Sequence, residues 1–363
     1  MSTTVKNIKK SEYPIPKDTI ELCKKLGVLK HLPTTVPRDV SFELHNTTTE
    51  MANALRRCIN SELEVLTMDF EPKDFESDDS FIVLHELRKR ITYIPIRQIF
   101  GVTFKVNVHN KTDEIIPVYS RSIVESGFKK DKKKKNENPD DKKIRKDKQS
   151  NEKEHKEKMF SETFILTYLR PGKRLVINNI HTTAGVSYKH SAAFSFPGKV
   201  TYKCLDLPSP STGDVERKDG EVIIPESSMM TEPTRYRLGV PRQKYIDPVH
   251  IVKMALKTLE GKLDRIYRVV KEASENFYSS DMEINYLKDR ASFKIFGETY
   301  TVGNLLSRYG LMVDKTITNI HCIKLHPSFN YVTVEIHHAS PQKIMLLAVD
   351  LVKEELKKIS AAF

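Results

Sequence analysis

The chain of 363 residues contains no run of 18 apolar residues, which excludes a membrane-spanning helix. Its opening, MSTTVKNIKKSEYPIPK, has no apolar stretch of the signal-peptide kind. Cysteine is sparse and scattered, at Cys23, Cys58, Cys204 and Cys322. That spacing fits neither a disulfide framework nor a CxxC-type zinc site, and reads as reduced thiols of a soluble intracellular protein. Enzyme signatures are missing as well: there is no GxSxG elbow, no P-loop and no HExxH. Pro171-Gly172-Lys173-Arg174 lacks most of a phosphate cradle and reads as a turn, and Asp78/Asp79 read as helix N-terminal charges.

What the chain has is positive charge, a formal net of +12 from 60 Lys+Arg against 48 Asp+Glu. The stretch from Lys129 to Lys158 supplies half of that excess, with 14 basic and 8 acidic residues and one apolar side chain, Ile144. Such a segment cannot bury enough apolar surface to offset its ordering entropy, so a disordered loop is expected there. The remainder has the charge level of an ordinary globular protein. The length points to two domains or one elaborated one.

Val40, Phe42 and Leu44 alternate with polar neighbours as a strand, and a helix is expected from about Thr48. Met51, Ala54, Leu55, Cys58 and Ile59 fall on one helical stripe, with Asn53 and Arg56 off it and Arg57 at its edge. Residues 62–70 read as extended. A second helix is expected from Asp78-Asp79-Ser80 to about Ile91, then strands at Val102–Val108, Phe164–Leu166 and Leu175–Ile177. Residues 207–247 read as a long irregular connection. Pro248 opens a long helix whose Val252, Leu256, Leu259, Leu263, Ile266, Val270, Ala273 and Phe277 form a heptad seam. Strands at 282–287 and 291–296, a short helix at 302–309, a strand through Val332, Val334 and Ile336, and a helix carrying Met345, Val349, Val352, Leu356 and Ile359 complete the chain.

Two helix openings are alike. Met51-Ala52-Asn53-Ala54-Leu55-Arg56-Arg57 aligns with Val302-Gly303-Asn304-Leu305-Leu306-Ser307-Arg308, and each half ends in a heptad-spaced helix. Two related modules in one chain point to an intramolecular pseudo-dimer.

These residues carry a family resemblance. FELHNTTTEMANALRRCINSELEVL (Phe42–Leu66) resembles the amino-terminal signature of alpha-type subunits of multisubunit RNA polymerases. LHELRKRITYIPI (Leu84–Ile96) and LRPGKRLVINNIHTTAGVSYKHSAAFSF (Leu169–Phe196) are similar to later segments of that family, in its order. ETYTVGNLLSR (Glu298–Arg308) and HPSFNYVTVEIHHA (His326–Ala339) are similar to its small partner subunit. The whole resembles a third-largest-subunit (archaeal D-like) half fused to an archaeal L-like half, as in nucleocytoplasmic large DNA viruses.

The resemblance implies an α+β fold: two dimerisation modules in a pseudo-dimer, with a β-rich insert in the first. The implied domains are an arm at 1–35, an alpha-like dimerisation domain at 36–95 and 198–280, an insert at 96–197 with the disordered loop 129–158, and a small module at 281–363. It further implies a non-catalytic assembly platform that binds the two large catalytic subunits and small accessory ones, with no cofactor and no homodimer. The partner face falls on Ala52, Asn53, Arg56, Arg57, Gly303, Asn304 and Arg308. Met51, Leu55, Leu305, Leu306, Leu256, Leu259, Leu263, Val349, Val352 and Leu356 are the implied intramolecular contacts. An intracellular setting is implied, the virion and host cytoplasm or the nucleus. Many family members carry a cysteine cluster in the insert; between Ile96 and Leu207 there is only Cys204, so no such site is expected. His321, Cys322, His326, His337 and His338 are expected to alternate between opposite strand faces and hold no metal. The alternative function is nucleic-acid binding through the lysine-rich loop, against which stand its lack of aromatic residues and its interleaved acids.

Overall fold

The computed structural model describes residues 3–14, 35–96, 101–128, 164–196, 198–206, 217–218, 221–222, 232–242, 246–273, 275–314, 316–317 and 319–363. The lysine-rich segment 129–158 and residues 15–34 of the arm lie outside them. In chain order the elements are β1 (Thr4–Pro14), β2 (Thr35–His45), α1 (Thr49–Arg57), β3 (Glu64–Asp69), β4 (Phe75–Ser77) and α2 (Leu84–Thr92). There follow β5 (Val102–His109), β6 (Ile116–Tyr119), β7 (Ile123–Phe128), β8 (Ile165–Leu169), β9 (Arg174–Val186) and β10 (Thr201–Cys204). The short β11 (Arg217–Lys218) and β12 (Glu221–Val222) precede β13 (Arg235–Pro241), α3 (Pro248–Glu272), β14 (Phe277–Tyr278), β15 (Met282–Tyr286) and β16 (Arg290–Phe296). The last elements are α4 (Tyr300–Val313), β17 (Asn319–Ile323), β18 (Tyr331–His337) and α5 (Pro341–Ser360). The fold is α+β.

The chain divides into two compact units, one of residues 1–63 and 197–363, the other of residues 64–196. In the second, β9 is the long central strand: β3 and β4 pair along one edge, and β5 followed by β7 lies along the other. Met68, Phe70, Phe104, Leu166, Leu175 and Ile177 fill its core, together with Leu87 and Ile91 of α2. This packing moves the first boundary. Residues 64–95, expected in the dimerisation domain, pair and pack with the β9 sheet, so the division falls after Leu63. The helix expected from Asp78 begins only at Leu84, because Asp79 is committed elsewhere. Its carboxylate accepts from the backbone N–H of Phe81 (3.1 Å) and of Arg170 (3.0 Å) and holds the Arg170 side chain, tying down the 170–173 turn.

In the first unit, the order β1-β2-β13-β10 makes a four-stranded antiparallel sheet and β14-β15-β16-β18-β17 a five-stranded one. The stretch 207–247, read as irregular, therefore contains a central strand: Tyr236, Leu238 and Val240 of β13 alternate inward beside β2. Glu43 of β2 is nearly buried and staples three strands. It accepts from Asn7 Nδ2 of β1 (2.7 Å), contacts His45 Nε2 (3.0 Å), and accepts from Arg237 of β13 (2.6 and 3.1 Å). The long helix α3 starts with Asp247 accepting from the Val249 N–H at 2.9 Å, and Pro248 occupies its first turn. It ends at Glu272, so the seam stops at Val270; Ala273 closes the helix and Phe277 belongs to β14. The helix expected at 302–309 is longer, Tyr300–Val313.

The hydrogen bonds from Arg237, His45 and Asn7 hold the Glu43 carboxyl at about 2, down from 4.5. A depressed carboxyl pKa contributes stability that is complete above about 4.5 and is lost as pH falls through about 2. Glu43→Gln is therefore expected to destabilise the chain at pH 7 and to flatten the fall in unfolding midpoint between these two values, measured by chemical denaturation across pH.

Candidate subunit interface

Helix α1 begins where Thr48 Oγ1 accepts from the Met51 N–H at 3.1 Å, one of the first-turn donors that lack a helical partner. The cap fixes the phase of the helix, and Met51, Ala52, Ala54 and Leu55 are all buried. Its end does not run straight into a strand. Residues Cys58–Glu62, part of the stretch read as helix end and extended chain, form a wide π-type turn that turns Glu62 inward. Cys58 is buried against α3, 3.5 Å from the Ala255 carbonyl, and burial pushes its thiol well above the usual range.

Glu62 is the centre of a buried polar network. Its Oε2 accepts from Lys262 Nζ of α3 at 2.6 Å, and Lys262 also reaches Glu298 Oε2 at 2.9 Å. Arg265, one turn along α3, donates to the other oxygen of Glu298. Glu62 Oε1 accepts from Thr301 Oγ1, and from Thr299 Oγ1 at 3.2 Å, both at the N-terminus of α4. Thr299 in turn caps α4 by accepting from the Thr301 N–H. Arg57 Nε donates to Thr301 Oγ1 at 3.0 Å. The network thus joins the end of α1, the middle of α3 and the start of α4. A second bridge runs through Glu355 of α5, which accepts from Thr47 Oγ1 (2.6 Å) and from the Tyr309 hydroxyl of α4. Gln342 of α5 donates to the Val270 and Ala273 carbonyls, each at 2.8 Å, at the end of α3.

Met51, Leu55, Leu305, Leu306, Leu256, Leu259, Leu263, Val349, Val352 and Leu356 are all buried in this unit. The residues assigned to the partner face divide differently. Ala52 is fully buried and Gly303 is buried, so neither presents surface to another chain. A Cβ on Gly303 would overlap the Cys322 sulfur and stand 3.1 Å from Val332; the glycine lets α4 lie against β17 and β18. Arg57 is engaged with Thr301, and Arg308 pairs with Glu232, with Glu50 at 3.9 Å. Asn53, Arg56 and Asn304 reach solvent. Arg56 donates twice to Asn53 Oδ1, at 2.7 and 3.1 Å, which holds both side chains in place. Asn53 and Asn304, the matched asparagines of the repeat, line one hollow of about 120 Å³ with Thr49, Glu50, Tyr300 and Thr301.

Residues 41–263 match the RNA polymerase Rpb3/Rpb11 dimerisation domain, and the chain belongs to that family. It is an alpha-like RNA polymerase subunit of the fused kind. The chain is similar to the DNA-directed RNA polymerase RPB3-11 homolog of African swine fever virus. Identity is 26% over 344 residues for the Kenyan pig isolate, covering 89% of this chain and 86% of that protein. It is 25% over 343 residues, with the same coverage, for the Malawi tick isolate.

Removing one partner of a buried ion pair leaves an uncompensated charge, at a cost of about 3–5 kcal/mol. Lys262→Met is expected to lower stability by that order, read as a lower urea midpoint, and Glu62→Gln added to it is expected to restore part of the loss. Gly303→Ala is expected to cost about 1–3 kcal/mol through overpacking in the same assay.

Proposed function

We propose that the chain is the non-catalytic assembly platform of a viral multisubunit DNA-dependent RNA polymerase, on which the two large catalytic subunits and smaller accessory ones are put together. Two dimerisation modules, 36–63 with 198–280 and then 281–363, form an intramolecular pseudo-dimer, and 64–196 is the insert. The reading is supported by family membership and by similarity to viral relatives across 89% of the chain. The observation that carries the partner face is the hollow in which Asn53 and Asn304, one from each repeat, stand together beside Arg56. An arginine already held by its neighbour loses little side-chain freedom when a partner's carboxylate or carbonyl meets its remaining donors. In this reading Arg57 and Arg308 support the face from inside the chain. The protein works inside the infected cell.

Arginine at the centre of an interface typically costs more than 1–2 kcal/mol on truncation, about tenfold in affinity. The triple variant Asn53→Ala, Arg56→Ala, Asn304→Ala is expected to keep its melting temperature within a few degrees. It should lose about tenfold or more in recovery of a large subunit on co-purification. Full recovery of every polymerase subunit by the triple variant would place the interface elsewhere.

A further inference from the structure

The sequence places His321 and His337, with Cys322, His326 and His338, in a group expected to alternate between strand faces and hold no metal. Strand pairing gives another arrangement. β17 and β18 are antiparallel with His321 opposite Glu335 and Ile320 opposite Ile336. Val332, Val334 and Ile336 point into the core, so Glu335 and His337, two residues apart, share the outer face. His321 joins them there from the edge strand, with Ile320 facing inward. Residues i and i+2 of a strand and the residue across are side-chain neighbours.

We propose that His321, Glu335 and His337 form a binding site for a divalent transition-metal ion of the zinc type, which clips the edge strand β17 to β18. Two imidazoles and a carboxylate are a donor set suited to zinc, with water completing the tetrahedron. One ligand atom from each of the three lies within 4.8 Å of those of the others. His321 Nε2 is 3.4 Å and His337 Nε2 4.0 Å from the same oxygen, Glu335 Oε2. Ligand atoms each about 2 Å from one tetrahedral ion stand roughly 3.3 Å apart, so the first pair is at the required spacing and the second is within a small side-chain adjustment. The two rings lie 6.0 Å apart between centroids and are tilted by only 32°, both converging on the carboxylate. His321 Nδ1 is buried without a hydrogen-bond partner among the described residues, so the ring turns its Nε2 toward the carboxylate. All three side chains are about a third exposed, which leaves an entry path for a hydrated ion. The neighbouring candidates are occupied: His326 Nδ1 contacts Ser328 Oγ, His338 Nε2 faces Thr316 Oγ1 and Asp314, and Cys322 lies against Gly303 on the other side of the sheet.

The site stands apart from the polymerase reading and is testable on the full chain alone. Calorimetric titration with zinc chloride is expected to give one site per chain, and cobalt(II) chloride is expected to give the visible absorption of a tetrahedral ion. His321→Ala, His337→Ala and Glu335→Gln should each weaken zinc binding by about tenfold or more, with circular dichroism unchanged. His326→Ala and His338→Ala should bind as the unaltered chain does. The proposal is overturned if the unaltered chain takes up no zinc, if the three variants bind it undiminished, or if the two control variants lose as much.

Discussion

Lys262 holds two buried carboxylates at once, Glu62 at the end of α1 and Glu298 just before α4. Burying charge is expensive, and a buried ion pair adds little net stability over an apolar substitute. What it supplies is position. The seams of α3 and α5 are rows of Leu, Ile and Val at heptad spacing, and such rows tolerate slippage by a repeat with modest loss. Glu62, Lys262 and Glu298 meet in one register only, and every other register strands a charge. The same carboxylate collects Thr299 and Thr301, so the start of α4 is set by the end of α1. From that follow the contact of Arg57 with Thr301 and the shared hollow of Asn53 and Asn304.

Much of this was legible in the sequence, and the divide is physical. Periodic burial is a local signal, so the stripe of α1, the seam of α3 through Val270 and the spacing of α5 could be read from residue type alone. Sites fixed by long-range pairing could not. Glu62 and Glu298 look like surface acids until Lys262, 200 residues after the first, is brought to them. Asp79 offered an ordinary helix cap and is instead taken by Arg170, 91 residues away. β13 sits in a proline-rich, polar neighbourhood, and its alternation of Tyr236, Leu238 and Val240 was outweighed by that composition. The faces of His321, Glu335 and His337 depend on strand register, which a lone sequence does not state.

The two helix openings share their asparagine, a leucine and the last arginine, yet they are used unequally. In the first copy Arg57 reaches across to Thr301; in the second Arg308 pairs with Glu232 and approaches Glu50. Ala52 and Gly303 occupy matched positions and are both buried, yet only the glycine is required by a neighbour's approach, that of Cys322 and Val332. The matched asparagines keep equivalent places at the hollow. The two helix openings therefore present different surfaces, although their sequences match.

The seam of α3 also bears on whether a second copy of the chain could be its partner. Heptad spacing over six positions is equally compatible with a coiled coil between molecules. Val252, Leu256, Leu259, Leu263, Ile266 and Val270 are all buried within the single chain, each no more than 4% exposed. A stripe that is already covered has no apolar area left to bury in a homodimer, so the driving force for one through this helix is absent. Fusion makes the internal solution the favoured one: joining two modules by a short connection raises their effective concentration to millimolar order or above, so their association no longer depends on the amount of protein present. Carrying both halves in one chain then fixes their ratio and their pairing.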